Sequence, residues 1–137
     1  MAEGVYASKP WLKSYDKGVP EKIQYEEMCM PDILDRSAAK APDRMALNFQ
    51  GYIMTYKELK DMVDRFATYL AGAGIKKGDA VAIILPNVIP CVAAYYAIHR
   101  LGAIVVLNNP LYSDRELEHQ LNDSGSILIV TVDLLAN

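Results

Sequence analysis

Residue types that support redox, metal or nucleophilic chemistry are scarce in this sequence. Its 137 residues include two cysteines, two histidines and one tryptophan. Cys29 and Cys91 lie far apart, neither belongs to a CxxC pair, and no histidine stands at metal-ligand spacing beside them. We therefore expect two reduced thiols, inert in the core, and neither a disulfide nor a zinc site.

The sequence also lacks an excess of positive charge. Lysine and arginine number 14 against 17 acidic residues, which gives a formal net charge of -3. Binding to a nucleic-acid backbone draws on clustered basic side chains, so DNA and RNA are excluded as partners. With 52% apolar and 23% charged residues, the chain has the composition of one globular domain whose core needs no disulfide or metal.

No targeting or membrane-spanning segment is evident. The first residues lack the basic and apolar regions of a secretory signal, so we expect a cytoplasmic protein. The longest uncharged run, residues 80–98, is interrupted by Pro86, Asn87 and Pro90. A lipid-facing helix broken there would leave backbone groups unsatisfied, so the run predicts a buried strand, a turn and a helix.

Residues 1–27 are predicted to form an extended arm, and residues 28–137 an α/β unit. Prolines and a glycine in the arm prevent a continuous helix. Interleaved lysines and aromatic residues would suit an anionic lipid or single-stranded nucleic acid, but acidic residues outnumber the lysines there. Peripheral membrane contact stays open, and we expect packed aromatics and solvated lysines; the set is Tyr6, Lys9, Trp11, Lys13, Tyr15, Lys17, Lys22 and Tyr25.

Local signals define the first elements after the arm. A helix is expected over residues 31–41, and the segments 45–49 and 52–56 flank Gln50-Gly51 as a tight hairpin. Two later helices carry a capping box, in which a hydroxyl residue precedes a glutamate by three positions. These pairs are Thr55 with Glu58 and Ser113 with Glu116, with the apolar staples Met54–Leu59 and Tyr112–Leu117.

The region from residue 80 onward alternates strands and helices. Continuous apolar runs at 80–86, 103–107 and 127–132 are typical of buried parallel strands. Asn87 is expected to cap the helix between the first two, and Gly102 and Gly125 to follow the helix ends. Right-handed crossovers then predict an α/β fold with a parallel sheet flanked by helices.

The end of this pattern suggests an unfinished sheet. A further helix would begin within DLLAN, residues 133–137, and the last strand would be left with an exposed edge. We interpret this as a partial α/β subdomain of something larger. Self-association through the arm or the open edge is the expected consequence.

No motif supplies catalytic chemistry. GAGIKKG at residues 72–78 follows a helix and precedes a strand, so it predicts a helix end and a turn, not a phosphate loop. Ser124-Gly125-Ser126 lacks the nucleophile-elbow pattern. His99 and His119 are expected late in helices with structural roles, and the pairs Asp32–Asp35 and Asp61–Asp64 on solvated faces. We therefore assign no catalytic, cofactor-binding or metal-binding residue.

One surface stands out as the best candidate for function. Tyr95-Tyr96 and the loop of residues 108–112, with Asn108, Asn109 and Tyr112, combine polar and aromatic side chains. The loop leaves the carboxyl end of a parallel strand, where open α/β sheets bind ligands. The preferred interpretation is nevertheless that the asparagines cap and brace the backbone.

Longer strings in the sequence resemble a known family. KKGDAVAIILPNV from Lys76 and HRLGAIVVLNNPLYSDRELEHQLNDSG from His99 resemble the N-terminal part of acyl-CoA synthetases, members of the adenylate-forming superfamily. The segment from Met54 to Leu70 resembles the superfamily's LTYRELD segment. WLKSYDKGVP from Trp11 is similar to the start of bacterial long-chain fatty acid–CoA ligases.

The resemblance implies a two-step ligase that makes acyl-CoA, AMP and diphosphate from fatty acid, ATP and CoA with Mg²⁺. It also implies that the nucleotide-handling motifs lie downstream, so the chain alone would be inactive framework from the large N-terminal domain. No position here matches those motifs, and no catalytic residue is carried over. The alternative is a self-sufficient α/β binding or oligomerisation module.

Overall fold

The structure is a computed structural model that describes residue 4 and residues 6–133. Strands β1 and β2 form an antiparallel hairpin, and β3, β4 and β5 form a parallel sheet in the order β4-β3-β5. This confirms the predicted fold class. After a 3-10 helix at Pro10–Ser14, the elements are α1 (Met30–Lys40), β1 (Met45–Phe49), β2 (Tyr52–Thr55), α2 (Tyr56–Gly72), β3 (Ala80–Ile84), α3 (Ile89–Arg100), β4 (Ile104–Leu107), α4 (Asp114–Ser124) and β5 (Leu128–Thr131).

Turn and cap residues form the contacts that the sequence predicts. Gln50 and Gly51 have φ values of 50° and 87°, as a two-residue type I′ hairpin turn requires. The Glu58 carboxylate accepts a hydrogen bond of 2.8 Å from the Thr55 N–H, and the Thr55 hydroxyl accepts one of 3.3 Å from the Glu58 N–H. At α4, the Glu116 carboxylate accepts from the Ser113 N–H over 2.9 Å and from the Ser113 hydroxyl over 2.6 Å. The starts of α2 and α4 are therefore encoded locally.

The start of α3 differs from the prediction. Val88, not Asn87, occupies the N-cap position, and its side chain makes no capping hydrogen bond. The Val88 N–H donates to the Pro86 carbonyl over 2.8 Å, which turns the chain through one more residue before the helix begins. Pro90 then lies in the first turn of α3, where its missing N–H costs nothing.

The core lies between β3 and the helices that cover it. Every residue of β3 is buried. Helix α3 contacts β3 and β4 on one side and α1 and α2 on the other. Its buried residues are small or branched: Ala93, Ala94, Ala97 and Ile98. The apolar stripe of α2 completes this core through Leu59, Val63, Ala67 and Leu70.

The sequence predicts that β4 and β5 are buried, but in the structure neither outer strand is. Ile104 and Leu107 of β4 are 55% and 59% exposed, and Ile129 of β5 is also exposed. The reason is topological, because β4 and β5 are the two edges of the three-stranded sheet and only β3 has a neighbour on each side. Right-handed crossovers place α4 on the face opposite α3, where Leu117 and Leu121 are half-buried.

The expectation that the aromatic residues of the arm are packed is wrong. Tyr6 and Tyr25 are 83% and 80% exposed, and Trp11 and Tyr15 are exposed as well. The Tyr6 and Trp11 rings lie 6.0 Å apart, and Lys9 forms an ion pair with Glu21. Contacts in the arm are therefore mostly local. The boundary between the arm and the α/β unit at residue 27 stays a prediction.

The long uncharged run folds as its prolines predict, into β3, a turn and α3. Among the described residues, no helix has both the length and the apolar character needed to cross a membrane. The helix predicted to begin within residues 133–137 lies outside the described residues, apart from Asp133.

Thr55→Ala should destabilise the protein by about 1 kcal/mol, because it removes the cap of the helix that carries much of the core. Thr68→Ala is the matched control in the same helix, since the Thr68 hydroxyl only bonds back to the Asp64 carbonyl. Urea unfolding followed by circular dichroism measures both. Equal stability changes in the two variants would contradict the capping role.

Candidate functional site

The loop after β4 is braced by its own asparagines. Asn108 is 5% exposed, and its N–H donates to the Ile83 carbonyl of β3 over 2.9 Å. Its side-chain Nδ2 donates to the Val106 carbonyl over 2.9 Å. The Asn109 Oδ1 accepts from the Leu111 N–H over 3.0 Å, which closes an Asx turn. The bracing interpretation is thus confirmed.

One polar atom of this loop remains unpaired among the described residues. Asn108 Oδ1 is buried and has no hydrogen-bond donor there. Buried polar atoms without partners are uncommon, because each loses hydration without compensation. The carboxyl end of β4 therefore carries a buried acceptor with no donor among the described residues.

Among the described residues, no recorded hydrogen bond or ring contact joins the two tyrosines to this loop. The Tyr95 ring contacts the His99 ring edge-on with centroids 4.6 Å apart. His99 lies next to the turn that leads to the amino end of β4, whereas residues 108–112 follow its carboxyl end. Burial, with smaller effects of Tyr95 and Tyr56, raises the pKa of the Tyr96 phenol. The composite surface stays a prediction.

The histidines and cysteines occupy structural positions. Burial lowers the pKa of His99, which favours the neutral imidazole over the protonated form expected beside a helix end. His119 lies in the middle of α4, not late in it, on a shallow polar face with Arg115 and Glu118. Burial raises the pKa of the Cys91 thiol. Both cysteines are free, but Cys29 is exposed and so does not lie in the core.

A charge cluster that the sequence did not reveal joins the three core helices. The Arg100 guanidinium of α3 donates two hydrogen bonds to the Asp35 carboxylate of α1, at 3.0 Å and 2.7 Å. Its Nε lies 3.0 Å from Asp64 Oδ1 of α2, in an ion pair whose angle falls short of a hydrogen bond. Lys60 pairs with Asp64 and with Asp35. These aspartates therefore bridge helices and are not merely solvated.

The same contacts set the ionisation of the cluster. The hydrogen bonds from Arg100, and secondarily its charge, hold the pKa of Asp35 below its usual value. The hydrogen bond to Asp64 raises the pKa of Lys60. Asp35, Lys60 and Arg100 therefore stay charged near neutrality, which suits a structural clamp and not proton transfer.

An apolar groove lies between α2 and β5. Its volume is about 540 Å³, within the range of small-molecule and peptide sites. We call it the α2–β5 groove. Its lining residues are Met62, Arg65, Phe66, Tyr69, Leu85, Pro90, Ala93, Val130, Thr131 and Val132. Met62 and Phe66 of α2 are only half-buried here.

Residues 72–78 behave as a turn. The Lys76 N–H donates to the Asp79 carboxylate over 2.7 Å, so a side chain of this chain already takes the donor that a phosphate would need. Within the described part of the chain, no group of three or more potential ligands could hold a metal ion. The expectation of no catalytic or cofactor-binding residue stays a prediction.

Comparison with known proteins shows the family of this α/β unit. The model of the family described as AMP-binding enzyme matches residues 34–137. The chain belongs to the AMP-binding enzyme family. The long-chain-fatty-acid–CoA ligases of Bacillus subtilis strain 168 and of Escherichia coli O6:H1 are 39% and 43% identical to it over 94% of its length. This confirms the resemblance read from the sequence.

Solved structures agree with that assignment. O-succinylbenzoate coenzyme A synthetase from Bacillus subtilis, solved in complex with AMP, superimposes with a TM-score of 0.74 at 36% identity, over 78% of this chain and 28% of that one. The N-terminal subdomain of Klebsiella oxytoca NpsA gives a TM-score of 0.75 at 30% identity, over 79% and 28%.

This member of the AMP-binding enzyme family matches only part of the length of each relative. It spans 23% of the length of both long-chain-fatty-acid–CoA ligases. The described residues therefore correspond to part of a larger α/β domain, as predicted. The charge cluster and the groove are the features that the sequence analysis missed, and the spacing of Met62, Phe66 and Tyr69 was the available signal for the groove.

Arg100→Met should lower the free energy of unfolding by about 1–2 kcal/mol, the range for a hydrogen-bonded ion pair discounted for the partly exposed carboxylates. Arg36→Met is the matched control, because its ion pair with Glu26 is exposed on both sides. Urea unfolding at low salt measures both. Equal losses would show that the cluster is not a clamp.

Lowering the pH from 7.5 to 5.5 should destabilise the protein, and His99→Gln should reduce this loss. Because burial lowers the pKa of His99, the unfolded chain binds more protons as the pH falls through its ordinary value of about 6.5. The stabilisation is present above that value and disappears below it. His119→Gln is the control, and denaturant unfolding at each pH gives the slopes. An unchanged slope in His99→Gln would refute this assignment.

Proposed function

We propose that this chain is the N-terminal part of an ATP-dependent fatty acid–CoA ligase. The observation that carries the proposal is its 39–43% identity, over 94% of the chain, to the long-chain-fatty-acid–CoA ligases of two bacteria. The AMP-bound synthetase among its structural relatives supports a nucleotide-using reaction. The products would be acyl-CoA, AMP and diphosphate.

The proposed reaction has two steps. The fatty acid carboxylate attacks the α-phosphorus of ATP, displaces diphosphate and forms the acyl adenylate. The CoA thiolate then attacks the acyl carbon and displaces AMP. Mg²⁺ and cationic groups would neutralise the charge on the phosphates. ATP, Mg²⁺ and CoA are proposed requirements of the whole enzyme, and none is assigned a site in this chain.

The role proposed for these 137 residues is that of a framework. Helix α3 and the charge cluster fix the positions of α1 and α2 against β3, so the helices that cover the central strand are held in place. Rigid placement matters because a displacement of about 1 Å at a reacting centre can cost a hundredfold in rate. The α2–β5 groove would face the rest of the enzyme.

The proposal also covers the location of the enzyme in the cell and its contacts there. We place the enzyme in the cytoplasm and in fatty acid metabolism, with peripheral membrane contact through the exposed aromatic residues of the arm. The exposure of Tyr6 and Tyr25 beside lysines supports that contact. Self-association of the isolated chain through the arm or a sheet edge is supported by the exposed apolar residues of β4 and β5.

A chimera tests the ligase proposal directly. This chain would replace the matching segment of the Bacillus subtilis ligase, to which it is 39% identical. We expect AMP and acyl-CoA to form only when fatty acid, ATP, Mg²⁺ and CoA are all present, whereas the isolated chain should form neither. Coupled AMP release and mass spectrometry of the thioester provide the measurements.

The matched control is the same chimera with Val63→Asp, which places a charge in the fully buried core and should abolish activity. A folded chimera with no turnover, or one that activates a carboxylic acid other than a fatty acid, would overturn the proposed substrate class. Turnover by the isolated chain would overturn the framework role.

A further inference from the structure

We propose that the end of α1, the turn after it and the start of α2 form a binding cleft for a phosphate monoester of a small organic molecule. We call it the basic cleft. Its lining residues are Ser37, Lys40, Ala41, Arg44, Met45 and Tyr56. The inference goes beyond the proposed function, because it involves neither the ligase reaction nor any polypeptide outside this chain.

Hydrogen bonds between neighbouring elements fix the backbone around the basic cleft. The Tyr56 N–H at the start of α2 donates to the Arg44 carbonyl over 3.1 Å, and the Lys57 N–H donates to the Pro42 carbonyl over 3.0 Å. The Arg44 N–H donates to the Ala41 carbonyl over 3.2 Å. The cleft has a volume of about 520 Å³, within the range of small-molecule sites. Its backbone is therefore ordered before any ligand binds.

The charged side chains that line the basic cleft are all positive. Lys40 lies in the last turn of α1, and Arg44 directly precedes β1. Within the described part of the chain, neither side chain forms a hydrogen bond or an ion pair, and no acidic residue lines the cleft. A guanidinium binds phosphate oxygens through two parallel hydrogen bonds, and a lysine adds a point charge. The pair therefore suits a phosphate group.

Other charges near the basic cleft do not cancel this preference. Asp43 precedes Arg44 but does not line the cleft. The Glu58 carboxylate accepts hydrogen bonds of 2.8 Å from both the N–H and the hydroxyl of Thr55, which hold it in the cap of α2. The carboxyl end of α1 is partly negative and the amino end of α2 partly positive, so the two helix dipoles offset each other at the cleft.

The neutral residues of the basic cleft indicate an organic group on the phosphate. The Tyr56 hydroxyl forms no hydrogen bond among the described residues, so it can donate to a phosphate oxygen. The Ser37 hydroxyl already donates to the Ile33 carbonyl over 2.8 Å and is not available as a donor. The Met45 side chain and the Tyr56 ring add apolar surface beside the cations. An ester with an apolar group therefore fits the lining better than inorganic phosphate does.

Isothermal titration calorimetry of the full chain with phenyl phosphate tests the proposal. We expect saturable binding at one site, about fivefold tighter than that of inorganic phosphate because the ring adds apolar contacts. Phenol should not bind. Lys40→Met and Arg44→Met keep an apolar stem but remove the charge, so each should weaken binding about tenfold. Tyr56→Phe keeps the ring and removes the donor, so it should also weaken binding.

Arg115→Met is the matched control. It removes an arginine charge from the polar face of α4, where Glu118 and Asp123 lie beside it, so it should leave the affinity unchanged. Arg44→Lys retains the positive charge and should bind more tightly than Arg44→Met. Circular dichroism checks that every variant keeps the fold, which is expected because the Lys40 and Arg44 side chains are exposed.

Four results would overturn the proposal. Equal losses in Arg115→Met and Arg44→Met would reduce the effect to non-specific charge attraction. Affinity that is unchanged in both Lys40→Met and Arg44→Met would place the ligand elsewhere. The absence of saturable binding would remove the site. Equal binding of phenol and phenyl phosphate would show an apolar cavity with no preference for phosphate.

A phosphate monoester can come from a soluble molecule or from the headgroup of phosphatidic acid. We commit to the soluble source, because the cations line a concave cleft and not a flat surface. Flotation with phosphatidylcholine vesicles, with and without phosphatidic acid, is the second arm. Binding to phosphatidic acid that depends on Lys40 and Arg44, without binding of phenyl phosphate, would overturn the inference in favour of a membrane.

Discussion

Helix α3 is packed on both sides, and the rest of the structure depends on how closely its neighbours can approach it. The sheet lies on one side of α3, and α1 and α2 lie on the other. Ala93, Ala94 and Ala97 are buried where these layers meet, so larger side chains would separate them. The Arg100 cluster then fixes the end of the same helix to α1 and α2, which makes one rigid block of three helices and β3.

The centre of this block is fully buried, whereas its outer strands leave apolar surface exposed. The central strand β3 is fully buried, while the outer strands carry exposed apolar residues and one of them borders a groove. In an isolated domain such surfaces promote association. In a family whose relatives extend far beyond the matched segment, the same surfaces are suitable contacts for the remaining polypeptide.

The chemistry of the chain agrees with a framework role. Among the described residues, Asp35, Lys60 and Arg100 form a clamp between helices, Glu58 and Glu116 belong to the caps of α2 and α4, and no group with a shifted pKa lines the α2–β5 groove. His99 packs against Tyr95, and Asp79 satisfies the turn at residues 72–78. The proposed activity therefore needs groups from the rest of the enzyme, while this part positions the strands.

Sequence alone determined the features whose causes lie within a few residues. The Thr55 and Ser113 capping boxes, the Gln50-Gly51 turn and the strand–helix alternation after residue 80 depend on local hydrogen bonds, φ preferences and periodicity. Sequence strings also carried the family resemblance. Only the tertiary structure decided that β4 and β5 are edges and that Arg100 meets Asp35 across 65 positions. Those outcomes depend on strand order and helix packing, which bring distant residues together and which no short segment specifies.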